Sequence, residues 1–203
     1  MKSQRLEQLS DGIFAIVMTI LVFELKIPAI ASLASNEELK MALINMSPIF
    51  LSYILAFSTL FTYWRAHHFF ISVYAKNVDL TLTNINALFF MLVSLIPFSA
   101  SLLGSKSDLE LPIILFSVNV IFIGLMLFIM RNYVFRSPHI KNIEVSNAEI
   151  TRGTIRMMVP VVFAIIAIPL CFFSKIGALS LLTVAILFNF SRLTTHLFSK
   201  FIN

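Results

Sequence analysis

Cysteine, charge and catalytic motifs are what this chain has least of. Its one cysteine, Cys171, lies inside an apolar run, which excludes a disulfide framework and a thiolate metal site. Only 12% of its 203 residues are Asp, Glu, Lys or Arg, roughly half the share of an ordinary soluble domain. There is no H-E-x-x-H, no G-x-S-x-G, no phosphate-binding G-x-x-x-x-G-K-[ST] and no intramembrane pair of aspartates, which argues against an enzyme. The carbonyl filter sequence T-V-G-Y-G of potassium channels is absent too.

What is present is apolar. Hydrophobic residues make up 59% of the chain and the mean hydropathy is +0.93, values of an integral membrane protein. A spanning helix needs about 20 mostly apolar residues. Six stretches qualify: 6–27, 42–66, 80–103, 111–131, 157–174 and 177–198. A membrane barrel would show two-residue alternation instead of long unbroken runs. The expected fold class is therefore all-α, with residues 1–203 forming one six-helix transmembrane domain. Pro48, Pro97, Pro160 and Pro169 fall within spans and mark expected kinks.

Charge placement gives the expected orientation. Of the 15 Lys and Arg, eleven fall on one side, and only Lys26, Lys40, Lys106 and Lys175 on the other, whereas the acids divide evenly. Lysine and arginine carry the topology rule, so both termini are expected in the cytoplasm. The net charge of +5 arises at helix ends, not on a solvated basic face with aromatics, so nucleic acid is not an expected partner. Ala29-Ile30-Ala31 has the form of a signal cleavage site, but Glu7, Asp11, Glu24 and Lys26 favour an uncleaved first span. Loops are expected at Asn36-Glu37-Glu38, from Ala75 to Asp79, from Gly104 to Glu110, and as a near-hairpin from Ser174 to Gly177. The longest connection, Asn132 to Arg156, carries a Ser146-x-x-Glu149 capping pattern that predicts an extension of the fifth helix. Its polar residues fit either cytoplasmic solvation or an interaction site.

The first segment, RLEQLSDGIFAIVMTILVFELKIP, keeps Arg5, Glu7, Asp11, Thr19 and Glu24 in an otherwise apolar helix. Polar residues in a span face partners, the interface or water. Helical spacing puts Gly12, Ile16, Thr19, Ile20, Phe23 and Ile27 on one stripe. Such a stripe suits packing, with Thr19 bonded back to its own helix. It equally suits a pore lining, where apolar rings gate by dewetting. Asp11 can cap or charge-match the helix start or pair with Arg5. Trp64, Arg65, His67 and His68 close the second span, and adjacent histidines point about 100° apart, so they are poor joint metal ligands. Asn84 and Asn86 read as buried amides that bond neighbouring helices.

Three segments together resemble a known family. RLEQLSDGIFAIVMTILVFELKIP resembles the R-x-x-x-F-S-D first-helix signature of bacterial and archaeal relatives of transmembrane protein 175, the endosomal and lysosomal potassium channel. YWRAHHFF resembles its W-x-x-H-H segment, and NALFFMLVSLIPFSASLLG its third-helix N-x-x-F-L…P-F segment. The motifs cover residues 5–104. The resemblance implies a homotetramer of six-helix subunits around a central pore lined by first helices. Ile16 then corresponds to the narrow constriction, Ile20 and Phe23 to further apolar rings, and Thr19 to a hydroxyl that bears on potassium preference. It also implies that Arg5, Ser10 and Asp11 hold the pore helix against Trp64, His67, His68 and Asn86. Leu9 stands where the signature has phenylalanine, and Phe23 is bulkier than the usual aliphatic.

The expected function is a potassium-preferring cation channel of a prokaryotic plasma membrane, surrounded by lipid, with no cofactor and no metal beyond permeating potassium. An alternating-access transporter and a non-conducting scaffold are the rivals. The chain shows no internal repeat between its halves of the kind transporters commonly carry.

Overall fold

The computed structural model describes residues 3–26, 35–140, 142 and 147–190, and the regular elements among them are helical. Helix α1 (Ser3–Ile20) forms because Leu6, Ser10, Phe14, Val17 and Leu21 recur at three- and four-residue spacing and bury one face. It tightens into a 3₁₀ turn at Leu21–Glu24.

The second span differs from its expected 42–66. Helix α2 (Asn36–Asn45) takes in Asn36-Glu37-Glu38, which sequence reasoning places in a loop. Local chemistry explains it. Ser35 Oγ accepts the Glu38 amide and the Glu38 carboxylate accepts the Ser35 amide, 3.3 Å each, a capping box that starts the helix early. After a turn at Met46, α3 (Ser47–Phe69) begins with Pro48 in its first turn, where the missing N–H costs nothing. A π-helical turn, Phe70–Tyr74, extends it. Ser47–Tyr74 is 28 residues, about 42 Å long against about 30 Å of hydrocarbon, more than long enough to span.

The third span is broken. Helix α4 (Leu80–Val93) stops at Ser94-Leu95, and α5 (Ile96–Ser105) restarts with Pro97 in its first turn. Helix α6 (Glu110–Arg136) is continuous. Helix α7 (Asn147–Cys171) runs ten residues upstream of the 157–174 span, the extension expected of the fifth helix, and contains Pro160 and Pro169. Ser146 of the expected cap lies outside the described residues. Helix α8 (Lys175–Phe190) opens with the Ser174 hydroxyl accepting the Gly177 amide at 3.0 Å; residues 191–198 of the expected sixth span are outside the description. Among the described residues five helical stretches are long and apolar enough to cross a membrane, and the apolar part of α8, Lys175–Ile186, is shorter.

Helix α6 sits centrally, against α4, α5 and α7, while α8 packs on α7 and α1 packs on α3 and α4. Tyr63 of α3, fully buried, donates its hydroxyl to the Val120 carbonyl of α6 at 2.8 Å. Two glycines permit the closest approaches. A Cβ on Gly104 would fall onto Ser52 Oγ and 3.0 Å from the Ile49 backbone, and one on Gly124 would fall onto Val161. Small residues at such crossings let helices approach where lipid supplies no hydrophobic drive. We expect Gly124→Leu to destabilise the subunit by at least about 1–3 kcal/mol through overpacking, read as a lowered thermal midpoint in detergent. An unchanged midpoint would mean that the α6–α7 contact is loose.

Candidate functional site: the two faces of the first helix

One face of α1 is docked and the other is not. On the docked face Leu6, Ser10, Phe14, Val17 and Leu21 are buried. On the other, Leu9, Ile16, Ile20 and Phe23 are exposed within the subunit, Ile16 at 60% and Phe23 at 71%, and Gly12 and Thr19 lie open among them. Ile27, the remaining member of the expected stripe, is outside the described residues. The Thr19 hydroxyl donates to the carbonyls of Ala15 and Ile16, both at 2.9 Å, so its hydrogen is spent on its own helix and its oxygen stays open on the exposed face.

The docked face is held by a buried polar joint. Ser10 Oγ lies 3.0 Å from His67 Nδ1, and His67 Nε2 lies 2.7 Å from Asn86 Oδ1. With the amide oxygen toward the ring, Nε2 carries the hydrogen and donates to Asn86, and Nδ1 accepts from the Ser10 hydroxyl. All three residues are at most 1% exposed. The imidazole stacks on Phe89, centroids 5.0 Å apart and planes 8° apart, and Phe14 flanks it at 6.4 Å. One histidine thus joins α1, α3 and α4.

A second contact lies nearer the surface. Trp64 Nε1 donates to Asp11 Oδ1 at 2.8 Å, and the indole stacks on the His68 ring at 5.6 Å. Asp11 therefore bonds to Trp64, and no ion pair joins it to Arg5 among the described residues. Arg5 and His68 are exposed, and Arg5 stands apart from the joint. His67 and His68 diverge as their helical spacing requires, one to the core and one to the surface. No group of three or more His, Cys, Asp or Glu poised to hold a metal occurs among the described residues.

Sequence reasoning missed part of the joint and misplaced one residue. Asn84 is exposed, not buried: two residues along α4 is a 200° rotation, so Asn84 and Asn86 cannot share a face. Phe14 and Phe89, the apolar walls around His67, were not singled out. Phe14 follows Ser10 by four residues, and that spacing was the available signal.

A bundle of apolar helices joined by buried polar side chains, with its first helix half docked, defines a multi-span membrane protein. A family model described as endosomal/lysosomal potassium channel TMEM175 matches residues 5–97. A potassium channel of Chryseobacterium sp. (strain P1-3) is 32% identical over 137 residues, 67% of each chain. A potassium channel of Chamaesiphon minutus is 34% identical over 100 residues, 49% of this chain and 48% of that one. The endosomal/lysosomal proton channel TMEM175 of Mus musculus is 27% identical over 200 residues, 95% of this chain and 39% of the mouse protein. The fold matches the crystal structure of a lysosomal potassium-selective channel TMEM175 homolog from Chamaesiphon minutus with a TM-score of 0.79 at 23% identity, covering 92% of this chain and 95% of that one. The chain belongs to the TMEM175 family, whose members are ion channels and not enzymes.

The joint makes a specific stability prediction. Asn86→Leu should strand the His67 Nε2 donor and cost about 1–3 kcal/mol, whereas adding His67→Phe should recover part of the loss by removing both partners. Thermal unfolding of the single and double variants measures this; a double variant weaker than Asn86→Leu would show that the ring acts through packing alone.

Proposed function

We propose that this chain forms a potassium-preferring cation channel, a homotetramer of six-helix subunits whose central pore is lined by the uncovered face of α1. The observation that carries the reading is an inversion of polarity and position. The first helix is the least buried of the five long spans, 28% against 33–50% for the others, yet it holds Arg5, Asp11 and Thr19. Facing lipid, such a helix would be costly; facing neighbouring subunits and a water-filled axis, it is not. A groove between α1 and α5, bordered by Ile16, Ile20 and Phe98, gives a second copy a place to seat and supports assembly. The names of the bacterial relatives support potassium as the permeant ion.

In this reading Ile16 rings the narrowest point, Ile20 and Phe23 form apolar rings beyond it, and Thr19 offers its oxygen between them. Potassium sheds water more readily than sodium, so a dewetting constriction admits it more easily and discriminates only modestly. Ser10, His67 and Asn86, with Asp11 and Trp64, hold the pore helix in place. Both termini face the cytoplasm and the protein resides in a prokaryotic plasma membrane, the orientation that the lysine and arginine count supports.

Ion flux into liposomes carrying the purified chain tests this. Potassium flux should exceed sodium flux, and Ile16→Asn should raise flux and cut the potassium-to-sodium ratio several-fold. If Ile16→Asn leaves both fluxes unchanged, Ile16 is not the constriction. A conducting assembly should migrate as four copies of the 23.0 kDa chain, about 92 kDa of protein; a stable monomer would exclude the central pore.

A further inference from the structure

Away from the α1 joint, the connections at the far end of α3 are fastened to each other. The Lys76 amide donates to the Ile140 carbonyl at 2.8 Å and the Asn142 amide to the Tyr74 carbonyl at 2.9 Å. Side chains add two more ties, Asn77 Nδ2 to the His139 carbonyl at 3.2 Å and Asn142 Nδ2 to the Val73 carbonyl at 3.1 Å. The segment that follows α6 is thereby strapped across the turn between α3 and α4.

Asp79 sits at the centre of the strap. One carboxylate oxygen accepts the Leu82 amide at 2.8 Å, capping α4. The other accepts the Tyr133 hydroxyl of α6 at 2.5 Å and faces His139 Nε2 at 3.3 Å. Burial alone would raise the carboxyl's pKa, but the Tyr133 hydroxyl, the Leu82 amide and His139 outweigh it and hold Asp79 below the usual carboxylate range. Of the charged and titratable side chains, Tyr133 and Arg136 come from the end of α6, Lys76 from the turn and His139 from the strap itself. Lys141 is outside the described residues.

We propose that His139 and Asp79 form a proton-sensitive latch that fastens the segment after α6 to the α3–α4 turn and tightens when His139 takes up a proton. Neutral imidazole offers Asp79 at most a hydrogen bond, whereas imidazolium adds an opposite charge to a carboxylate already fixed by two donors. The sign follows. Asp79 is held below the usual carboxylate range, so a proton on His139 meets a negative charge already in place. The latch is therefore tighter with the imidazole protonated than neutral, and is lost when the carboxylate itself is protonated. An exposed pair of this kind supports an effect of about two- to five-fold. Because α3 carries His67 and α4 carries Asn86, the latch bears on the two helices that hold α1.

Hydrogen exchange of the chain in lipid nanodiscs tests this whether or not it conducts. Exchange at the Lys76 and Asn142 amides, corrected for the intrinsic pH dependence, is compared at pH 5.5 and pH 8. The wild type should be about two- to five-fold more protected at pH 5.5. His139→Gln, which keeps a donor without the charge, should show no pH difference, and neither should Asp79→Asn, whose asparagine still caps α4. Equal protection at both pH values in the wild type, or a pH difference that survives in His139→Gln, overturns the proposal.

Discussion

Hydrocarbon gives a polar side chain no water, so a histidine sunk among three helices has to bring its partners with it. His67 does, with a hydroxyl from α1 on one nitrogen and an amide oxygen from α4 on the other. Neither contact can be exchanged for solvent, and each fixes an angle as well as a distance. The aromatic walls make the ring's plane equally definite, since a stack at 8° on Phe89 leaves little freedom to tip. The position of α1 is thus set less by apolar packing, which tolerates sliding, than by a directional joint at a single depth.

That joint accounts for the division of labour along α1. Apolar contacts through Phe14, Val17 and Leu21 continue the docked face outward from the histidine. With one side so firmly occupied, the opposite side is left to whatever the subunit meets: other subunits, ions and water in the channel reading. The break at Ser94-Leu95 separates the supports in a related way. Helix α4 carries the joint, while α5, beyond the break, packs against α3 and α6.

Much of this was legible in the sequence because membrane helices are written in long apolar runs and their polar interruptions are few. The helical class, the polar first helix, the divergence of His67 from His68 and the family follow from composition, spacing and motif. What was not legible depended on short polar segments or on partners remote in the chain. Asn36-Glu37-Glu38 resembles a loop by hydropathy, although Ser35-x-x-Glu38 has the capping spacing that starts the helix. Asp11 has an arginine six residues before it, and only the tertiary fold shows that its partner is an indole 53 residues away. The extra turns of α3 lie in mixed sequence where hydropathy stops being informative, whereas the extension of α7 was expected from a capping pattern.

Trp64 is the chain's only tryptophan, and its indole N–H is bound to the Asp11 carboxylate of the first helix. The molecule thus has an intrinsic fluorophore at the seam between the candidate pore helix and its support. Its emission colour and quenching register whether that seam is open or closed, with no label attached and with no other indole to dilute the signal.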